Sequence, residues 1–189
     1  MKGNPLPRRL LLAGLSGVAA LALAACGGQN PAASTATVFN QADVEFAQNM
    51  IPHHRQAMQV AELASRHAAD PQIKQLASQI TAAQAPEIQT LTGLLTAWGK
   101  VPISGHDLDG MVMPGMLSNA DLAKLMSVKG TGFDRMFAQM MITHHNGAIQ
   151  MTRNEQARGA NPDAKALAAT IEGAQTAEVS TLRAILDRL

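Results

Sequence analysis

Apolar residues recur along this chain at alternating steps of three and four, the spacing that places them on one face of an α-helix. One such seam is Phe46, Met50, His53, Ala57, Val60, and it returns as Phe137, Met141, His144, Ala148, Met151. A second is Ala77, Ile80, Leu91, Leu94, Trp98, returning as Ala168, Ile171, Leu182, Ile185, Leu189. Asp70-Pro71 and Asn161-Pro162 should open the later helix of each pair: a side-chain acceptor at the N-cap, then a proline with no amide hydrogen to lose. Gly159 suits the end of the helix before it. Pro52 lies inside the first helix and predicts a kink or a late start there.

The two halves are copies of one another. A shift of 91 residues aligns 43–98 with 134–189 without a gap, and 22 of the 56 pairs are identical. Ten of these identities fall in the first seventeen positions, which carry His53-His54 and His144-His145. The pattern predicts an all-α fold, an antiparallel four-helix bundle of two duplicated hairpins, 41–98 and 132–189, with pseudo-twofold symmetry. Residues 99–131 link them, with Ser118 capping a short helix over Asp121 to Met126. In an up-down-up-down order, this link sits at the bundle end nearer the histidine pairs.

The first 26 residues have a different character. Lys2, Arg8 and Arg9 precede an apolar run, Leu10 to Ala25, with the proportions of a signal-peptide core. Leu23-Ala24-Ala25-Cys26-Gly27 looks like a lipobox, which makes Cys26, the only cysteine, the expected lipidation site and leaves no partner for an intramolecular disulfide. An ordinary secretory leader is the alternative, and Arg8-Arg9 leaves the export route open. The expected organisation is leader 1–26, flexible tether 27–40 and domain 41–189. The domain would be exported and face the periplasm or the cell exterior, touching the membrane through its lipid alone. Without the leader's three basic residues, twelve Lys and Arg face fourteen Asp and Glu, a formal charge of −2. No basic run or aromatic cluster points to nucleic acid.

Candidate chemistry collects around the histidines. His53 and His144 fall on the inward seams; His54 and His145 lie about 100° further round, near the rim. The seams of the later helices are apolar except at Gln84 and Glu87, and at Gln175 and Glu178. Counting equally from turns at 70 and 161 sets Glu87 level with His53 and Glu178 level with His144. Unpaired core carboxylates are costly, so both glutamates are expected to hold imidazoles from behind or to bind metal directly; a polar layer that only fixes bundle register is the competing interpretation. Met50 and Met141 sit one turn before His53 and His144. Met111, Met113 and Met116 occupy the link beside Pro114 and Gly115, where core filling explains them poorly, and His106 precedes them. Thioether and imidazole together suit Cu(I) or a Cu(I)/Cu(II) pair, with other transition metals as the alternative.

These residues resemble a known family. Met-Ile-x-His-His-x-x-Ala at 50–57 and 141–148, Met-Pro-Gly-Met at 113–116 and Phe-Asp-x-x-Phe at 133–137 are similar to the motifs of the domain of unknown function 305, over about residues 40 to 189. The resemblance implies a ferritin-like fold and a copper association outside the cytoplasm. It implies metal residues at His53, His54, His144, His145, Met50 and Met141, with Met113 and Met116 as loop ligands; His106 and Met111 are further loop candidates. Pro52 and Thr143 before the histidine pairs, and a link with the single histidine His106, depart from the family pattern. The expected function is copper binding, buffering or chaperoning rather than catalysis. A dimetal oxidase using Glu87 and Glu178 is a competing reading, but the Glu-x-x-His pairs of carboxylate-bridged iron bundles are absent. A structural helical module without metal is the other.

Overall fold

The computed structural model describes residues 38–103 and 113–189. The leader with Cys26, most of the tether, and the link residues His106 and Met111 lie outside the described residues.

Among the described residues five helices follow in order: α1 (Gln41–His67), α2 (Pro71–Ala97), α3 (Asn119–Ser127), α4 (Thr131–Arg158) and α5 (Pro162–Arg188). Asp70 and Asn161 cap α2 and α5 as expected, each ahead of its proline. Asn40 and Asp43 form a reciprocal capping box at the start of α1, and Ser118 and Asp121 form another at α3. Two orphan amide groups are thereby satisfied at each of these two starts. Despite Pro52, α1 is unbroken from residue 41, so the late start is not realised; α2 likewise runs through Pro86. Among the described residues, no helix is long and apolar enough to cross a membrane.

Within each hairpin the helices pack side by side, and α1 packs against α4 at the centre of the bundle. The path between hairpins differs from the up-down-up-down expectation. Phe39 and Trp98 stack at 5.2 Å, so α2 ends beside the start of α1. At the other end, Gly130 donates its N–H to the His67 carbonyl at 2.8 Å, so α4 begins beside the end of α1. The link therefore traverses the bundle, a length of about 40 Å for helices of this size, and among the four long helices the packed pairs α1–α2, α4–α5, α1–α4 and α2–α5 are antiparallel. Helical periodicity sets the face each helix buries; it carries no information on which way a long connection runs.

The apolar core falls into two clusters that the 91-residue shift exchanges. One contains Phe46, Met50 and Leu91 of the first hairpin with Ala148 and Ile171 of the second. The other contains Phe137, Met141 and Leu182 with Ala57 and Ile80. Each large side chain buried there contributes about 1.5–3 kcal/mol of transfer free energy. Between the clusters lies a polar layer.

Candidate functional site

The polar layer is built on the middle turns of α1 and α4. His53, His54, His144 and His145 are all fully buried. His53 and His144 meet across the α1–α4 contact, with ring centroids 3.8 Å apart and planes inclined at 37°. Their neighbours turn outward to the other helix of their own hairpin: His54 Nε2 lies 2.8 Å from Glu87 Oε2, and His145 Nε2 lies 2.7 Å from Glu178 Oε2. The glutamates thus face the histidines, as expected, but the partners are His54 and His145 rather than His53 and His144. Equal rise fixed the level correctly, and azimuth decides the partner, because about 100° separates consecutive side chains. His54 and His145 are also not at a rim. Each of α1 and α4 is packed on two sides, by its hairpin partner and by the other central helix, which covers a wider arc than one apolar stripe.

The electrostatics keep the central pair neutral. Burial pushes His53 down to about 3, with further lowering from His54 and His145, while the Pro114 carbonyl pulls the other way. Burial likewise holds His144 well below the ordinary imidazole range, aided by His53, His145 and His54. Both rings therefore carry lone pairs at neutral pH, the form that binds metal. Nδ1 of all four imidazoles is buried without a hydrogen-bond partner, as are Nε2 of His144 and of His145. The approach of Glu178 to His145 is close, but off the ring N–H direction. Gln84 Oε1 and Gln175 Oε1 are unpartnered too. Buried polar atoms are normally paired, so this concentration of free donors and acceptors makes the layer the candidate site.

Part of the link closes over it. His53 Nε2 is 3.1 Å from the Pro114 carbonyl. Gln56, one turn on, accepts from Leu117 N–H at 2.8 Å and donates to the Leu117 carbonyl at 2.9 Å. Gly115 has φ +77°, and a Cβ there would lie 2.7 Å from the Thr143 carbonyl oxygen and 2.8 Å from that of His144. At Gly147 a Cβ would overlap the Pro114 carbonyl. The Met-Pro-Gly-Met turn thus rests on α4 backbone to one side and on Gln56 of α1 to the other, above the middle of the bundle rather than at its end. A surface cavity of about 310 Å³, lined by Glu45, Asn49, Pro114, Gln150 and Asn154 among others, opens outside Pro114.

The methionines are distributed differently. Met50 and Met141 are fully buried in opposite apolar clusters, Met113 is buried in the turn, and Met116 is half-buried. Among the described residues, no three His, Cys, Asp or Glu side chains converge as a ready-made metal cage. With the His53 and His144 rings in contact, a shared ion would require them to part. The donor set itself, buried imidazole nitrogens without partners under a turn that carries Met113 and Met116, fits a soft metal ion. Gln56 and Gly147 were not singled out from the sequence; their signal is a mismatch, Gln against Gly, inside the best-matched stretch of the repeat.

Fold and site define a class: a duplicated helical-hairpin bundle with a buried histidine layer roofed by a Met-Pro-Gly-Met turn. The family described as Domain of unknown function (DUF305) matches residues 43–186, and the chain belongs to it. A DUF305 fragment from Deinococcus radiodurans is 31% identical, with a TM-score of 0.69 over 79% of this chain and 98% of that one. A DUF305 protein from Streptomyces coelicolor, provisionally named a secreted protein, is 28% identical, with a TM-score of 0.71 over 78% and 93%. CopM, solved in Cu(I)-bound and Cu(II)-bound forms, is 29% identical, with TM-scores of 0.65 and 0.68 over 77% of this chain and 96% of that one. No curated protein matched the chain.

Proposed function

We propose that this protein is an exported, lipid-anchored copper carrier that binds the ion in the histidine layer and does no chemistry on it. The observation that carries this reading is the set of four buried imidazoles, each with Nδ1 free of any partner, between two apolar clusters. Structural histidines would be expected to spend both ring nitrogens on hydrogen bonds. Copper is favoured among metals by the thioethers of Met113 and Met116 beside the layer and of Met50 and Met141 one turn away, and by the copper-bound states of CopM. His53, His54, His144 and His145 would be the nitrogen ligands, with Glu87 and Glu178 orienting His54 and His145. His106 and Met111 would extend the ligand supply along the link, and Cys26 would carry the lipid.

The test is competition for Cu(I) against a chromophoric chelator, with the protein beside a variant in which all four histidines are alanine. Stoichiometric binding that disappears in the variant supports the reading. Wild-type protein that takes no Cu(I) from the chelator would overturn it.

A further inference from the structure

We infer that Gln56 and Gly147 are positioning residues: they seat the Met113–Leu117 turn so that the Pro114 carbonyl locks His53 as the Nε2–H tautomer, leaving Nδ1 as its metal-binding nitrogen.

The two positions are equivalent in the repeat, 91 residues apart, yet they do opposite things. Gln56 grips the turn through two hydrogen bonds with the backbone of Leu117. Gly147 contributes the lack of a side chain, which lets Pro114 and Gly115 lie directly on α4. The positive φ of Gly115 completes the fit, since a side chain there would meet the carbonyls of Thr143 and His144. One grip and one recess, on facing helices, fix the height and tilt of a single peptide group.

That peptide group ends on His53. A carbonyl oxygen only accepts, so the 3.1 Å contact makes His53 Nε2 the protonated nitrogen and Nδ1 the lone-pair donor. Glu87 does the same for His54, since a carboxylate also accepts the Nε2 proton and frees Nδ1. Metal-binding imidazoles generally have the second nitrogen held in this way, and that hold fixes both tautomer and ring orientation. The link's backbone thus takes, for His53, the part that a glutamate takes for His54. Within the first hairpin's histidine pair, Glu87 is the acceptor for His54, and the turn supplies one for His53. The tautomer and its cause stand on the geometry; that Nδ1 then faces copper rests on the function proposed above.

Nitrogen-15 NMR of the imidazoles in the metal-free protein separates these steps. The wild type should show His53 as the Nε2–H tautomer. Gln56→Ala should convert it to an exchanging mixture and raise amide exchange at Leu117 by about tenfold or more, the factor that two ordinary hydrogen bonds represent. Gln56→Glu, which keeps the acceptor and loses the donor, should fall between them, and Gly147→Ala should reproduce the effect by displacing Pro114. Affinity for Cu(I) should fall about tenfold in Gln56→Ala and less in Gln56→Glu. An Nδ1–H tautomer at His53 in the wild type, or a tautomer indifferent to both Gln56→Ala and Gly147→Ala, would overturn the inference. An altered tautomer with unchanged Cu(I) affinity would overturn its metal-facing half. If the wild type bound no Cu(I) while the tautomer responded as described, the carrier function would fall and the turn's hold on His53 would be upheld.

Discussion

Asp43 and Asp134 occupy equivalent positions in the two repeats, and each carboxylate holds the turn of the opposite hairpin. Asp43 accepts from the backbone N–H groups of Ala160 at 3.1 Å and Asn161 at 2.8 Å. Asp134 accepts from Ala69 at 3.1 Å and Asp70 at 3.0 Å. Both carboxylates are buried. The exchange works because α1 and α4 run antiparallel, so the first turn of each lies beside the turn that ends the other. It ties the hairpins at both ends of the bundle.

Removing one clasp should therefore cost more than a surface change. In Asp134→Ala two backbone N–H groups lose their acceptor, that of Asp70 in a buried bond, and the expected loss is about 1–3 kcal/mol in chemical denaturation. Asp43→Ala should lose a similar amount, plus its share of the Asn40 capping box. Asp163→Ala, at an exposed position, should stay within about 0.5 kcal/mol of wild type. A clasp variant as stable as that control would show the reciprocal contacts to be idle.

The second hairpin carries a buried acid that the first lacks. Glu155 stands where the repeat has Ala64, and neither of its carboxyl oxygens has a hydrogen-bond partner. Burial raises its pKa from 4.5 to about 8, and the neighbouring Asp43 carboxyl adds to the rise. Between those values the folded protein holds a proton that the unfolded chain releases, so the contribution of Glu155 to stability falls as pH rises from about 4.5 to about 8. Glu155→Gln should remove this slope and make the protein more stable than wild type at pH 8. Unfolding midpoints measured across that range would decide it; a wild-type slope retained in the variant would place the titration elsewhere.

The glutamates of the layer give the metal prediction. Glu87→Gln keeps shape but weakens the acceptor behind His54, and the expected loss of Cu(I) affinity is about 10–100-fold. Glu178→Gln should lose less, since Glu178 Oε2 lies 2.7 Å from His145 Nε2 without hydrogen-bonding it. Asp163→Asn is the control. Chelator competition showing all three variants alike would remove the glutamates from the site.

How much of this was legible in the sequence follows the range of each interaction. Asp70-Pro71, Asn161-Pro162 and Ser118 signalled helix starts because capping is settled within a few residues. The level of Glu87 and Glu178 followed from counting rise along antiparallel helices, but choosing between His53 and His54 needed the azimuth, one residue's rotation. The direction of the link was not legible, since thirty-odd residues can return or cross equally well, and the seat of Pro114 over the histidines depends on that crossing. Asp43 and Asp134 were visible as an identity at the head of the repeat. Their role becomes apparent only when the turns of the opposite hairpins are brought beside them.

The central histidines should set the acid limit of the fold. The unfolded chain protonates each at about its ordinary 6.5, while burial holds His53 at about 3 and His144 well below 6.5. A base depressed in the folded state contributes stability that is complete above the unfolded value and is lost as pH falls toward the folded one. Both groups therefore act in the same direction, each making the native protein less stable as pH falls below 6.5. Glu155 opposes them, because above about 4.5 its folded-state proton favours the native protein as pH falls. Wild type should therefore decline gently from pH 6.5 to 4.5, and Glu155→Gln more steeply over the same interval. In His53→Leu/His144→Leu, the acid limb should reverse while Glu155 is present and flatten once Glu155→Gln is added. Denaturant midpoints at half-unit steps, in metal-free buffer, would show the ordering; a Glu155→Gln protein with no decline between 6.5 and 4.5 would mean that the histidine layer takes up its protons without unfolding.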